Sequence, residues 1–129
     1  MTLRDLTNNV VVTPSLAPAV RVNGTATGTT VDLFGYDSAV IAVQFGTWTD
    51  GTHTPSVQHS TDNVTFNNVA TTDLSATFAA LTSATGANKI QQVGYRGSQR
   101  YVRVVLTTTG ATTGALSAAH VIAGRPKNS

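Results

Sequence analysis

Glutamate is absent from this chain, and only two lysines and one methionine occur among its 129 residues. Surface helices of soluble proteins draw their solvated face from long, unbranched charged side chains. This chain has almost none. It is crowded instead with Thr, Val and Gly, and charged residues make up 11% of it against about a quarter in an ordinary domain. Thr and Val are stiff at χ1 and suit a pleated, half-buried surface. The composition therefore predicts an all-β protein. A chain of this length suits one domain and buries roughly two-thirds of its unfolded surface. Hydrophobic residues at 40% and a small net charge exclude disorder, and no apolar run approaches the ~20 residues a membrane helix needs. The opening Met1-Thr2-Leu3-Arg4-Asp5 is not the basic-then-apolar start of a secretory signal, so a soluble protein made in a cytoplasm is expected.

The absence of cysteine excludes disulfides, thiolate metal sites and a cysteine nucleophile. The formal charge of +2 comes from few charges of either sign, not from a basic tract, so nucleic acid is not indicated.

Along the chain, Pro14 and Pro18 interrupt residues 1–19. Proline sits badly inside a paired sheet, so this region reads as an extended arm lying over a surface. Val20-Arg21-Val22 ends at the turn dipeptide Asn23-Gly24, and Thr29 to Phe34 alternates. Ser38 to Phe45 contains Ala39-Val40-Ile41-Ala42-Val43, apolar at every position, which predicts a central strand covered on both sides. Gly46 to Pro55 reads as a loop carrying Trp48 and His53. Residues 56–70 read as a hairpin turning at Thr61-Asp62-Asn63. Residues 71–88 are open between a short helix capped by Asp73, carrying Leu74, Phe78 and Leu81 at helical spacing, and a loop with a short strand. Ile90 and Val93 fall out of step, which suggests a bulge in the strand 89–95. Strong strands follow at Arg100–Leu106 and Ala115–Ala123. The expected fold is an eight-stranded antiparallel β-sandwich, jelly-roll-like, with an immunoglobulin-like sandwich fitting nearly as well. The arm spans 1–19, the sandwich 20–124 and a flexible basic tail 125–129.

No catalytic constellation emerges. His53, His59 and His120 lack metal-ligand spacing, with His53 expected in a loop and His59 pointing outward. There is no Gly-x-Ser-x-Gly, and the six aspartates sit mostly in turns, where Asp bonds its own backbone. Asp32 and Asp50 are the acids a two-carboxylate glycosidase could use, but nothing selects them. The chain is read as a non-enzyme needing no cofactor or metal. Its most distinctive feature is Arg96, Arg100 and Arg103 within eight residues, beside Tyr95 and Tyr101. Arg and Tyr are enriched at protein interfaces, although pairing of an arginine with Asp32 or Asp37 across the sheet is equally open.

The stretch Val57-Gln58-His59-Ser60-Thr61-Asp62-Asn63-Val64-Thr65-Phe66, with Val93-Gly94-Tyr95-Arg96-Gly97 and Arg100-Tyr101-Val102-Arg103-Val104, resembles small virion proteins of tailed bacteriophages over roughly residues 38–124. Some members of that group are capsid cement or decoration proteins with a β-sandwich or jelly-roll fold. The resemblance implies a structural protein on the capsid exterior. Its expected partners are the major capsid protein and itself as a dimer or trimer, with no nucleic acid or membrane. Leu3, Leu6, Val10 and Val11 of the arm, and Tyr95, Arg96, Arg100 and Arg103, are the expected partner-binding residues. A head–tail connector or tail protein is the first alternative. A carbohydrate-binding sandwich using Trp48 and Tyr36 is the second.

Overall fold

The computed structural model describes residues 10–126. Among them run nine strands: β1 (Val10–Arg21), β2 (Gly24–Thr27), β3 (Val31–Asp32), β4 (Tyr36–Trp48), β5 (Thr52–Ser60), β6 (Asn67–Asn68), β7 (Lys89–Tyr95), β8 (Tyr101–Thr109) and β9 (Ala115–Pro126). The protein is all-β, and the described residues contain no α-helix, only single 3-10 turns at Thr71–Asp73 and Ala84–Gly86. Every strand pairing is antiparallel. Sheet A has the order β1-β9-β4-β7. Sheet B has the order β2-β8-β5-β6, with β3 also paired to β8.

Alternation sends one side of each sheet inward. Ile41, Val43 and Phe45 of β4, Ala119 and Val121 of β9 and Leu16 of β1 meet Val57 of β5 and Val102, Val104 and Leu106 of β8 in one buried cluster. All are at most 4% exposed. Burying each larger apolar side chain contributes about 1.5–3 kcal/mol. β-branched residues dominate, so the core forms from residues that already prefer extended backbone.

Two expectations are corrected, one at the chain ends and one in β7. The expected arm is, over residues 10–19, part of β1, paired along its length with β9. The prolines are accommodated because β1 is an edge strand and its register shifts between Pro14 and Leu16 and again between Leu16 and Ala19; an edge and a bulge are the places where a missing N–H breaks no ladder bond. Leu3 and Leu6 lie outside the described residues. At the other end β9 continues to Pro126, so the expected tail begins as strand, and residues 127–129 lie outside the description.

Second, the register of β7 on β4 runs unbroken from Lys89–Phe45 to Tyr95–Ala39, so there is no bulge. Ile90 and Val93 are out of step because they face opposite ways: Val93 is buried and Ile90 is 57% exposed. Of the two readings open for 71–88, the segment takes the loop, with single 3-10 turns at Thr71–Asp73 and Ala84–Gly86 and isolated bridges at Leu74 and Leu81. It pins the sheet margins: Leu81 bridges to His53 through both backbone bonds, Leu74 bridges to Tyr95, and Ser75 donates to the Gly94 carbonyl at 2.9 Å.

The sheets are also joined by polar contacts. Ser15, 3% exposed in the bulge of β1, donates from Oγ to the Thr29 carbonyl at 2.9 Å and accepts from the Val104 N–H of sheet B at 3.0 Å. Gly28 packs here so tightly that a Cβ would lie 2.7 Å from both the Ser15 and Val104 carbonyl oxygens.

Candidate functional site

The histidines expected in a loop and on an outer face both point into the core. His53 lies in β5 and is fully buried. The Asp50 carbonyl can only accept, so His53 Nε2 donates to it at 3.0 Å, leaving Nδ1 to accept from the Thr108 hydroxyl at 3.1 Å. His59, 7% exposed, accepts at Nε2 from the Gln99 side-chain amide and donates from Nδ1 to the Tyr95 hydroxyl at 2.8 Å. Both rings are satisfied core members. No group of three or more His, Cys, Asp or Glu converges among the described residues in a way that could hold a metal ion.

The aspartates organise turns and pairs. Asp50 accepts from the backbone N–H groups of Thr112, Thr113 and Gly114. These bonds, the one from Gly114 foremost, hold its carboxyl below the usual carboxylate range. Asp62 is lowered in the same way by the N–H groups of Thr65 and Val64 and the Ser60 hydroxyl. Asp32 pairs with Arg100, whose hydrogen bonds lower it most. Asp32 and Asp50 sit beside opposite ends of β8, so the two cannot flank one scissile bond.

The arginine cluster divides by role. Arg100 makes a two-pronged pair with Asp32, Nε to Oδ1 and Nη2 to Oδ2, both at 2.8 Å. Its guanidinium lies 4.8 Å from the Phe34 ring centre and 5.0 Å from that of Tyr101. Arg103 is held by the Gln58 side-chain oxygen, which accepts from Nε at 2.9 Å and from Nη2 at 2.8 Å, and it stacks 3.8 Å over Phe66. Gln58 is neutral, so it holds Arg103 without forming an ion pair. Its neighbours Tyr101 and Val102 alternate outward and inward along β8, so Tyr101 and Arg103 share the outward side of sheet B. Arg96 is exposed after the end of β7, held through its backbone N–H to the Asp73 carbonyl. Tyr95 is buried at 9%. Its hydroxyl accepts from His59 and from the Gln99 N–H at 3.1 Å, and burial raises its pKa. It braces the 95–100 turn from beneath and is not displayed with the arginines. Val10 and Val11 lie in β1, with Val11 45% exposed.

Sequence reasoning missed Phe34, Phe66 and Gln58. The i, i+2 placement of Tyr101 and Arg103 was readable, but the Gln58 contact depends on the register that sets Gln58 opposite Arg103. A concavity of about 320 Å³ between the 33–38 and 97–100 segments is lined by Leu33, Phe34, Tyr36, Asp37, Gln99 and Arg100. Arg100 and Gln99 are already committed to Asp32 and His59 there. Trp48 donates to the Gly51 carbonyl at 2.9 Å and packs partly on the core. Trp48 and Tyr36 end the 13-residue β4, roughly 40 Å apart at ~3.3 Å per residue, so they cannot hold one sugar ring between them.

The outward side of sheet A is of a different kind. Register places Val12, Ile122, Val40 and Gly94 in one cross-strand row, Pro14, His120, Ala42 and Gln92 in the next, and Val20 opposite Leu116. From the row Val10–Gly124–Ser38 to the pair Val20–Leu116, no outward position carries Asp, Lys or Arg. Val12, Val20 and Ile90 are 57–58% exposed and Leu116 42%.

Compared with known proteins, the chain matches no family model and no curated protein sequence.

Proposed function

We propose that this protein is a structural virion component that binds the outer surface of a bacteriophage capsid and stabilises it, working as an oligomer with the major capsid protein as partner. The observation that carries this reading is the pair of immobilised arginines on the sheet B side. Arg100 and Arg103 are each fixed by a side-chain acceptor and an aromatic face, and a pre-positioned arginine loses less rotamer freedom on binding. Such residues make good anchors for acidic or carbonyl-rich protein loops. The resemblance of residues 57–66 and 93–104 to small phage virion proteins supports the same reading, as does a site chemistry built for contact instead of bond-making. Function of this kind works through copy number, because many weak contacts on a shell sum to strong retention. The protein would be made in the bacterial cytoplasm and end on the capsid exterior.

The finer architecture proposed is a jelly roll. β2 and β3 both pair with β8, and read as one interrupted strand they reduce the count to eight. The orders β1-β9-β4-β7 and β2/β3-β8-β5-β6 then follow the doubly wound pairing of two interleaved Greek keys. Any N-terminal arm is confined in this reading to residues before Val10.

The test is co-sedimentation with shells assembled without this protein, at low and moderate salt. Binding that weakens with salt, and that Arg103→Ala reduces by about tenfold or more as expected of an interface anchor, is the expected result. Absence of the protein from the shell pellet at every salt concentration rejects the proposal.

A further inference from the structure

The uncharged outward side of sheet A points to a self-contact. We infer that two copies of this chain pair face to face through sheet A, around a two-fold axis, leaving both sheet B sides free. The inference extends the proposed function by naming the contact through which copies associate, and it stands or falls separately from shell binding.

Four observations converge. The first is β4, a central strand apolar at Ala39, Val40, Ile41, Ala42 and Val43. Residues of this kind on both faces belong to strands covered on both sides, yet among the described residues only the Ile41 side is covered, by sheet B. Val40, between Ile122 and Gly94, sits at the middle of the uncovered side.

The second is the lack of charge. A surface meeting a copy of itself brings each residue near its own kind, and like charges would oppose that. An uncharged face fits a second copy better than it fits an acidic or basic partner. The outward side of sheet B, with Arg103 and Asp32, offers the opposite character.

The third is area. Four strands at ~4.8 Å spacing and about ten residues at ~3.3 Å give a face of roughly 600 Å². Two such faces bury about 1,200 Å², at the lower bound of specific interfaces. A depression of about 220 Å³ lined by Pro18, Gln44, Gly46, Leu116, Ala118 and His120 gives that face relief into which an apolar side chain of the other copy can seat.

The fourth is that much of each edge of sheet A is unsuited to joining strand to strand. β1 carries Pro14, Pro18 and two register shifts. Along β7, Ser75 and Ala79 occupy the outer edge: the Ser75 N–H bonds Gly94, and the Ala79 N–H and carbonyl bond the Gln91 side chain at 2.8 and 3.0 Å. Blocked edges are a defence against edge pairing, which favours stacking of faces.

The test is sedimentation velocity of the full chain, up to about 0.1 mM, a range that captures weak to strong pairing. It is run beside Ile122→Lys and, at the more exposed position, Ile90→Lys. The expected result is a dimer whose dissociation constant rises by about tenfold or more in each lysine variant, the consequence of an unpaired buried charge. Unchanged circular dichroism in Ile90→Lys keeps the test valid if Ile122→Lys fails to fold. A wild-type chain that stays monomeric, or lysine variants that dimerise as well as wild type, overturns the inference. Dimers that ignore shells would reject shell binding and leave this inference standing; monomers that coat shells would reject this inference, and the oligomer with it, and leave shell binding standing.

Discussion

Ser15 shows how one side chain can decide whether two sheets stay together. It is buried, and its hydroxyl joins the bulge of β1 to the 27–30 connection and to β8. Ser15→Ala leaves the Val104 N–H without that acceptor, a loss of about 1–3 kcal/mol, read as a lowered midpoint in urea unfolding at unchanged slope. Gly28→Ala is expected to be at least as damaging, because its Cβ would press on backbone carbonyls that cannot swing away.

The aspartates make a second residue-scale prediction. The folded-state pKa values of Asp50 and Asp62 are depressed by backbone N–H groups. Their stabilisation is therefore complete above the ordinary carboxylate value of about 3.9 and is lost as pH falls below it through the folded-state value. Melting temperature should fall below pH ~4. Asp50→Asn should be less stable than wild type at neutral pH, and the two melting curves should draw together in acid. A constant gap across that range would contradict the assigned role.

Elements were legible where one period ruled. β4, β8 and β9 follow from their runs of Val, Ile and Ala, and the turn at 61–63 follows from Asp62, whose carboxylate accepts from the N–H groups of Val64 and Thr65. β1 was hidden because its two prolines, which argue against a strand, are tolerated at a bulged edge. His53 was hidden because a polar ring in a Thr-rich stretch resembles a loop residue, and only the fold brings Thr108 and the Asp50 carbonyl to it. The mismatch of Ile90 and Val93 is legible in the sequence, but it does not mark a bulge. Its cause is that Val93 faces the core and Ile90 faces outward. The candidate site was half legible: the arginines stood out, whereas Phe34, Phe66 and Gln58 join them only through register. An element-scale prediction follows. A chain starting at residue 22 lacks β1, and with it Leu16 and the Ser15 link, and should not reach the native fold by circular dichroism and thermal melting. Cooperative native-like melting would show instead that residues 10–21 are a removable arm.

At the scale of the whole molecule, the two sheets expose opposite chemistries. One side exposes several large apolar residues and carries no Asp, Lys or Arg between the row of Ser38 and the pair Val20–Leu116; the other is rich in Thr and carries clamped arginines. The Arg100–Asp32 pair is about half exposed on each side chain, so solvent screening leaves it contributing little to stability. Asp32→Ala should therefore lower the melting temperature little. It should weaken shell binding, because Arg100 loses the acceptor that fixes it; shell binding that is unchanged or stronger would show that the fixed geometry of Arg100 is not part of the contact.

The most direct measurement is an electron cryo-microscopy map of capsid shells decorated with this protein. The account predicts paired copies on the shell exterior, joined through sheet A, with the Arg103 side of at least one copy against the shell. Undecorated shells, or lone copies lying on the shell through sheet A with Arg103 turned to solvent, would contradict it.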